Sequence, residues 1–363
     1  MASSDPPIPH LDLPFQPPVE PMLAAIGEGM PVGEGWLYEP KWDGFRALVF
    51  FDGETVYLQS RDLKPLGRYF PEVERGLAQV LPGPMVLDGE VVILTAQGLA
   101  FEALQMRIHP AASRIRRLAD EIPAHFVAFD MLADGDEDLR QRPFEERRER
   151  LWARLPEDTR PLLHTPSTRD VEQARDWFDR FEGAGFDGVI AKRLDQPYTP
   201  GVRSLVKVKH VRTADCVVGG LRWAKGQEGT AVGSLLLGLY DSKGVLHHVG
   251  HTSSFKAPEK RTLAEQLAPY IVSPEEHRED DPVGFGRGRT PGAPSRWAGG
   301  RDTAWVRLRP ELVCEVKFDH LQGDRFRHGT TFQRWRPDKP PEQCTYDQLE
   351  TAVPAELSDL LRR

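Results

Sequence analysis

Between two runs patterned as β-strands, Gly35-Trp36-Leu37-Tyr38 and Ala47-Leu48-Val49-Phe50-Phe51, the chain inserts Glu39-Pro40-Lys41-Trp42-Asp43-Gly44-Phe45-Arg46. Strands this close in sequence leave room only for a short turn. An acid followed by glycine lets a second backbone or a ligand come close to it. Lys41 is thereby held on a rigid turn. A lysine attacks only as the free amine, so as a nucleophile it needs partial burial or cationic neighbours. Arg46, Lys207 and Lys209 are the candidates for those neighbours. A surface hairpin with an Asp-Gly turn is the plainer alternative.

Acid-glycine breaks recur inside apolar runs. Met85-Val86-Leu87-Asp88-Gly89-Glu90-Val91-Val92-Ile93 is apolar enough for a buried strand, where an acid needs a hydrogen-bond partner or a ligand. Glu90 there suits a ribose hydroxyl, and an Asp-Gly hairpin turn is the alternative. Gly185-Phe186-Asp187-Gly188-Val189-Ile190-Ala191-Lys192-Arg193 repeats the device and ends in cations. In Leu205-Val206-Lys207-Val208-Lys209-His210 the alternation puts Lys207 and Lys209 on one face and Val206 and Val208 on the other. Adjacent ammonium groups need an anion such as phosphate between them, or water. Ala124–Leu132 reads as another buried strand, whose Phe129 is core or a platform for a flat base. Glu54–Arg61 reads as a strand whose terminal Arg61 can point into a cleft.

Length bounds the architecture. With 363 residues there is room for two domains. No apolar run approaches a membrane span and the N-terminus lacks a signal-peptide pattern, which points to the cytosol. Cys216, Cys314 and Cys344 are scattered and form no CxxC pair, against both a disulfide framework and a cysteine zinc site. The net charge of −8 hides an asymmetry: residues 201–344 carry 23 Lys and Arg against 17 Asp and Glu, so the remainder is strongly acidic. A basic C-terminal half is compatible with phosphate contacts.

In chain order, residues 1–34 are Pro-rich and read as an extended arm packed on the first domain. Helices are expected over Pro71–Gln79, Phe101–Arg117, Pro143–Leu155 and Ser167–Glu182, with Arg107, Arg114, Arg116 and Arg117 solvated. From Val211 the texture changes to short strands with Gly turns, at Cys216–Leu221, Val232–Tyr240, Val245–Gly250, Ala304–Leu308 and Leu312–Asp319, which suit a five-stranded OB-type barrel. Gly284–Arg301 reads as a mobile basic loop. Alternation separates His247 from His248, against a metal site with His251. Phe332–Lys339 reads as the stretch that closes the barrel, too basic and Pro-broken for a central strand, and Tyr346–Leu361 as a terminal helix. The expected organisation is α+β, with an arm at 1–34, a first domain of antiparallel sheets with flanking helices at 35–209, the OB-fold barrel at 210–340 and a helical extension at 341–363.

Taken in order, Lys-x-Asp-Gly at Lys41, Ser60-Arg61, Asp88-Gly89-Glu90, Phe129-Asp130, Asp187-Gly-Val-Ile-Ala-Lys192, Lys207-Val-Lys209 and Arg336-Pro-Asp338-Lys339 resemble the covalent nucleotidyltransferase superfamily. Within it they resemble the ATP-dependent DNA ligases, especially the compact bacterial DNA ligase C type and the ligase domain of DNA ligase D. The ending Arg334-Trp335-Arg336-Pro337-Asp338-Lys339 is particularly similar, and the likeness runs from Trp36 to Lys339.

The resemblance implies that Lys41 attacks the α-phosphate of ATP to give a lysine-AMP adduct. It implies Glu39 near the adenine, Phe129 stacked on it, Glu90 on the ribose, and Arg46 and Arg61 on sugar or phosphates. Lys192, Lys207 and Lys209 would surround the α-phosphate, and Asp187 would hold Mg²⁺ or Mn²⁺. Arg334, Arg336, Asp338 and Lys339 would swing over the β- and γ-phosphates, with Lys209-His210-Val211-Arg212 as hinge. The implied partner is nicked double-stranded DNA, sealed during repair by a monomer acting alone or with other repair proteins. The chain departs from the family pattern at Asp187, where Glu is usual, and at Leu205, where many relatives have an aromatic. RNA ligase, mRNA guanylyltransferase and a catalytically silent nucleic-acid-binding module are the rival readings. An NAD⁺-dependent ligase would need a cysteine zinc module that three scattered cysteines do not supply.

Overall fold

The computed structural model describes residues 8–96, 98–156, 159–181, 184–210, 212–273, 285–292, 304–319 and 321–349. The chain forms two compact units that divide after His210. Of the expected hinge, Val211 lies outside the described residues.

The first unit rests on two sheets. One has the order Leu23–Ile26, Arg203–Lys209, Gly188–Arg193, Trp36–Pro40; the other runs Leu162–His164, His125–Asp134, Met85–Val92, Phe45–Phe51, Val56–Ser60. The strand Phe45–Phe51 shows why they stack. Leu48 and Phe50 enter a cluster shared with Leu205, Ile190 and Met22, while Ala47, Val49 and Phe51 face Val73 and Leu77 of the helix Pro71–Val80. Side chains alternate with period two, so a run apolar at every position, as from Ala47 to Phe51, is buried on both faces. Each fully buried Leu or Phe contributes about 1.5–3 kcal/mol. The other side of the smaller sheet is covered by the helix Val171–Arg180, capped by Asp170, whose Ala174 packs with Tyr38, Val189 and Ala191.

Pairing is mostly antiparallel, with parallel exceptions at Leu23–Ile26 and Leu162–His164. The first exception belongs to the Pro-rich arm. Leu11, Val19 and Met22 are buried, the Gln59 side chain bonds both backbone groups of Val19, and Leu23–Ile26 adds a strand beside Arg203–Lys209. Proline suppresses the periodicity from which a strand would be read.

Two helical expectations need correction. Phe101–Arg117 is two helices, Phe101–Arg107 and Ala112–Glu121, because Pro110 interrupts the hydrogen-bond ladder between them. Arg107 is not solvated but fully buried, with Nη2 donating to both Glu72 carboxylate oxygens at 2.7 Å and to the Tyr69 carbonyl at 3.0 Å.

The second unit is the OB-type barrel. Its strands lie in the order Leu246–Thr252, Val232–Tyr240, Arg212–Trp223, Val313–Phe318, Thr331–Trp335, with Val306–Arg307 beside the central one. The outer strands meet where Thr330 N–H donates to the His251 carbonyl and Phe332 N–H to the Thr252 hydroxyl. The stretch read as closing the barrel without being a central strand does so, as the outer strand Thr331–Trp335. A helix not read from the sequence, Ala257–Leu267, packs Leu263, Ala264 and Leu267 into the core. Three apolar contacts were too few to reveal it.

The expected mobile loop is also corrected for its described part. Phe285 fills the barrel core at 1% exposure, against Gly219 and Gly238, where side chains would collide with its ring. Gly284 and residues 293–301 lie outside the described residues. The cysteines are free and buried, and scattered only in sequence: Cys216 and Cys314 are cross-strand partners. Of the expected terminal helix, Tyr346–Leu349 forms a 3-10 turn and residues 350–361 lie outside the described residues.

Candidate active site

The lysine turn is fixed through its backbone. Lys41 N–H donates to the Gly188 carbonyl at 2.9 Å, and Asp187 N–H donates to the Lys41 carbonyl at 3.1 Å. This continues the antiparallel pairing of Trp36–Pro40 with Gly188–Arg193, while Gly188 pairs on its other side with Lys209. Three backbone segments of the chain meet at Gly188. Its φ of 130° and the 2.0 Å that would separate a Cβ from the Val208 carbonyl oxygen explain the glycine. At Gly44 a Cβ would come within 2.3 Å of the Val91 carbonyl oxygen, so the turn after Lys41 is pressed against the strand carrying Glu90.

This framework sets Asp187, 6% exposed, between two ammonium groups: Lys41 Nζ lies 2.5 Å and Lys209 Nζ 2.8 Å from Oδ2. Lys207, two residues before Lys209 and on the same face, shares their field. Partial burial, together with the charges of Lys209, Lys41 and Arg203, lowers its pKa, against the opposing pull of Asp187. Three lysines thus gather around one carboxylate, an excess of positive charge suited to a polyanion.

A cavity opens beside this cluster, lined by Lys41, Lys207, Arg46, Arg61, Glu90, Phe129, Glu39 and Lys192, together with Met22 and Leu23 of the arm. Asp88-Gly89-Glu90 is not a hairpin turn but lies within a continuous strand with an irregular register at Asp88–Gly89. Glu90 Oε1 accepts from Gly44 N–H at 3.2 Å, and burial pushes its carboxyl up to about 7 against the pull of Arg46 and Lys41. Arg46 forks onto Asp88 at 2.5 and 2.6 Å and lies 4.6 Å from the centre of the Phe129 ring. Tyr198 donates to the same Asp88 at 2.7 Å.

Glu39 and Lys192 form a buried pair at 2.7 Å, and Arg148 donates to Glu39 at 2.5 Å and to the Thr165 carbonyl at 3.0 Å. Lys192, expected among the lysines around the α-phosphate, therefore has its ammonium engaged by Glu39, 4.6 Å from the centre of the Phe129 ring. Burial lowers its pKa while Glu39 and Asp130 oppose this. Thr165 also accepts from the Trp42 indole at 2.9 Å, so one threonine links Arg148 to the residue after Lys41.

In the barrel, Arg336 Nη1 donates to both oxygens of Asp215 at 2.9 Å and Lys339 Nζ to Oδ2 at 2.9 Å. Arg336 also bonds Asp338, which holds that carboxyl down at about 2, and Arg334 pairs with Glu315 at 2.6 Å.

Sequence reasoning missed Arg148, Asp88, Tyr198, Arg203, Met22 and Asp215. A signal existed for the first. In the charged helix Phe144–Arg154 the spacing Phe144, Arg148, Leu151 follows one helical face, and all three are buried. Asp215 looks in sequence like any polar residue of an alternating strand.

No group of three or more His, Cys, Asp or Glu suited to a metal occurs among the described residues. Asp187 offers a single carboxylate, which fits an ion of the magnesium type, held by one or two carboxylates and completed by substrate phosphates and water.

The chain matches the family model for the ATP dependent DNA ligase domain over residues 21–209 and that for the ATP dependent DNA ligase C terminal region over residues 228–339. It is 49% identical to DNA ligase C1 of Mycolicibacterium smegmatis, covering 97% of this chain and 99% of that protein. It is 48% identical to DNA ligase C of Mycobacterium tuberculosis, again covering 97% and 99%. The multifunctional non-homologous end joining protein LigD of Mycobacterium bovis is 32% identical over 89% of this chain and 39% of its own length. A solved Lig E DNA ligase, 19% identical, shares the fold with a TM-score of 0.55 over 87% of this chain and 99% of that one.

Proposed function

This chain belongs to the ATP-dependent DNA ligases, and from that premise we propose that Lys41 is the nucleophile and that Asp187, Lys207 and Lys209 organise its reaction. It is an enzyme that joins DNA strands using ATP. The Lys41 amine attacks the α-phosphorus, the N–P bond forms, the bond to pyrophosphate breaks, and the amine loses its proton. The AMP then passes to the 5′-phosphate of a nick, and the 3′-hydroxyl displaces it. The observation that carries this reading is Asp187 held between Lys41 and Lys209, with Lys207 in the same field, beside a cavity that Lys41 and Lys207 line. Nucleotidyl transfer depends on positioning and charge neutralisation more than on acid-base chemistry.

The remaining roles follow the lining of that cavity. Phe129 offers a face to the adenine, with Glu39 and Lys192 as the polar pair beside it. Glu90 holds the ribose, and Arg46 and Arg61 serve sugar and phosphates. Asp187 suits one Mg²⁺, which when bound neutralises charge on the phosphates; displacement of Asp187 from the two ammonium groups would accompany binding. In the barrel, Arg334, Arg336, Asp338 and Lys339 orient the departing pyrophosphate.

The substrate proposed is nicked duplex DNA, and the setting is DNA repair in the bacterial cytosol, which likeness to an end-joining protein supports. No helix among the described residues is long and apolar enough to cross a membrane. The test is incubation with α-labelled ATP, GTP or NAD⁺ and Mg²⁺, followed by a denaturing gel, peptide mapping and assay on nicked DNA and RNA. Label from ATP on Lys41 with sealing of DNA is expected. Label elsewhere, or from GTP, would overturn the assignment.

A further inference from the structure

Beyond the residues given roles above, Asp215 stands at the meeting point of two cations. Arg336 Nη1 reaches both of its carboxylate oxygens and Lys339 Nζ one of them, all at 2.9 Å. The other edge of the Arg336 guanidinium is filled by Asp338, so Asp215 alone sets where its remaining edge points and where the lysine ends. Asp215 is itself held from behind. The Gln348 side chain accepts from its backbone N–H at 2.8 Å, donates to its carbonyl at 2.9 Å, and donates to the Thr345 carbonyl at 3.0 Å. The Asp215 side chain is 12% exposed, whereas those of Arg336 and Lys339 are 20% and 23% exposed, so the cations face solvent over a fixed anion.

We propose that Asp215, clamped by Gln348, is a positioning residue for the ATP step, keeping Arg336 and Lys339 convergent on one oxyanion-sized point until a phosphate of the leaving group takes its place. With Asp338 counted, two carboxylates balance two cations, so the resting group is formally neutral, and a phosphate that displaces the Asp215 carboxylate puts one anion in the place of another. The exchange replaces one set of charge-assisted hydrogen bonds by another, with little rotamer entropy left to lose. This rests on the reading that Arg336 and Lys339 act on pyrophosphate.

The experiment compares single-turnover self-adenylation with sealing of a pre-adenylated nick in the full-length protein. Asp215→Asn is expected to slow adenylation at saturating ATP by about 10- to 100-fold, with a smaller change in KM, and to leave sealing within about twofold. Gln348→Ala keeps the carboxylate but frees its backbone, and is expected to slow adenylation by about 3- to 10-fold; it decides the matter if Asp215→Asn does not fold. Asp215→Glu should recover part of the rate. Adenylation at or above the wild-type rate in both variants overturns the proposal, as does equal loss of both steps. Lys339→Ala serves as reference: if it adenylates normally, the underlying reading fails; if it does not, while the Asp215 and Gln348 variants do, only the positioning role fails.

Discussion

Asp187 accepts the Lys41 ammonium at 2.5 Å, and the two residues are also joined through their backbones, Asp187 N–H donating to the Lys41 carbonyl at 3.1 Å. The carboxylate is therefore set by strand pairing rather than by side-chain flexibility. Lys41→Ala should abolish self-adenylation. Asp187→Ala should lower it about 100-fold, the scale for losing one preorganised charged group, and Asp187→Glu should retain most activity. Label incorporation in a single turnover measures each, and wild-type rates in Asp187→Ala would remove that residue from the site.

Lys339 touches Asp215 and, in the proposed reading, serves only the ATP step. Lys339→Ala should block adenylation while sealing a pre-adenylated nick at close to the wild-type rate. Equal loss of both activities would sink the assignment.

Arg148 supports the Glu39–Lys192 end of the cavity from behind. Removing it takes one of two cations from the buried Glu39 carboxylate, which keeps Lys192, and takes the donor from the Thr165 carbonyl; losing such charge-assisted hydrogen bonds costs about 1.5–3 kcal/mol. Urea unfolding of Arg148→Ala, followed by a signal from the first unit, should show a loss on that scale. A loss below about 1 kcal/mol would mean that water replaces the guanidinium.

Glu74 gives a stability effect with a definite sign. Burial pushes its carboxyl up from 4.5 to about 7. Between those values the folded chain keeps a proton that the unfolded chain has lost, so stability falls as pH rises through this window. Glu74→Gln removes the effect. Its Tm advantage over wild type should grow between pH 5 and pH 8, by on the order of a few degrees, and a pH-independent difference would count against the assignment.

Much of the site was legible because its chemistry is written in short local patterns. Lys41 and Asp187 each precede or adjoin a glycine that close backbone approach demands, and Lys207 and Lys209 share a face by simple alternation. The barrel strands were legible for the same reason, since period-two patterning and glycine turns are local. Where locality failed, so did the reading: Pro110 split a helix, the Pro-rich arm hid a parallel strand, and Phe285 left a Gly/Arg-rich stretch to plug a core.

By itself the sequence determined which residue types could carry the chemistry and which faces of the strands they occupy, because periodicity and backbone sterics act over a few residues. Only the tertiary structure decided their partners. Arg148 lies 109 residues from Glu39 and Arg336 lies 121 from Asp215, and a buried charge is stable only where a distant opposite charge is brought to meet it. That Lys192 belongs to Glu39 while Lys41 and Lys209 share Asp187 follows from the register of three strands, which no local pattern records.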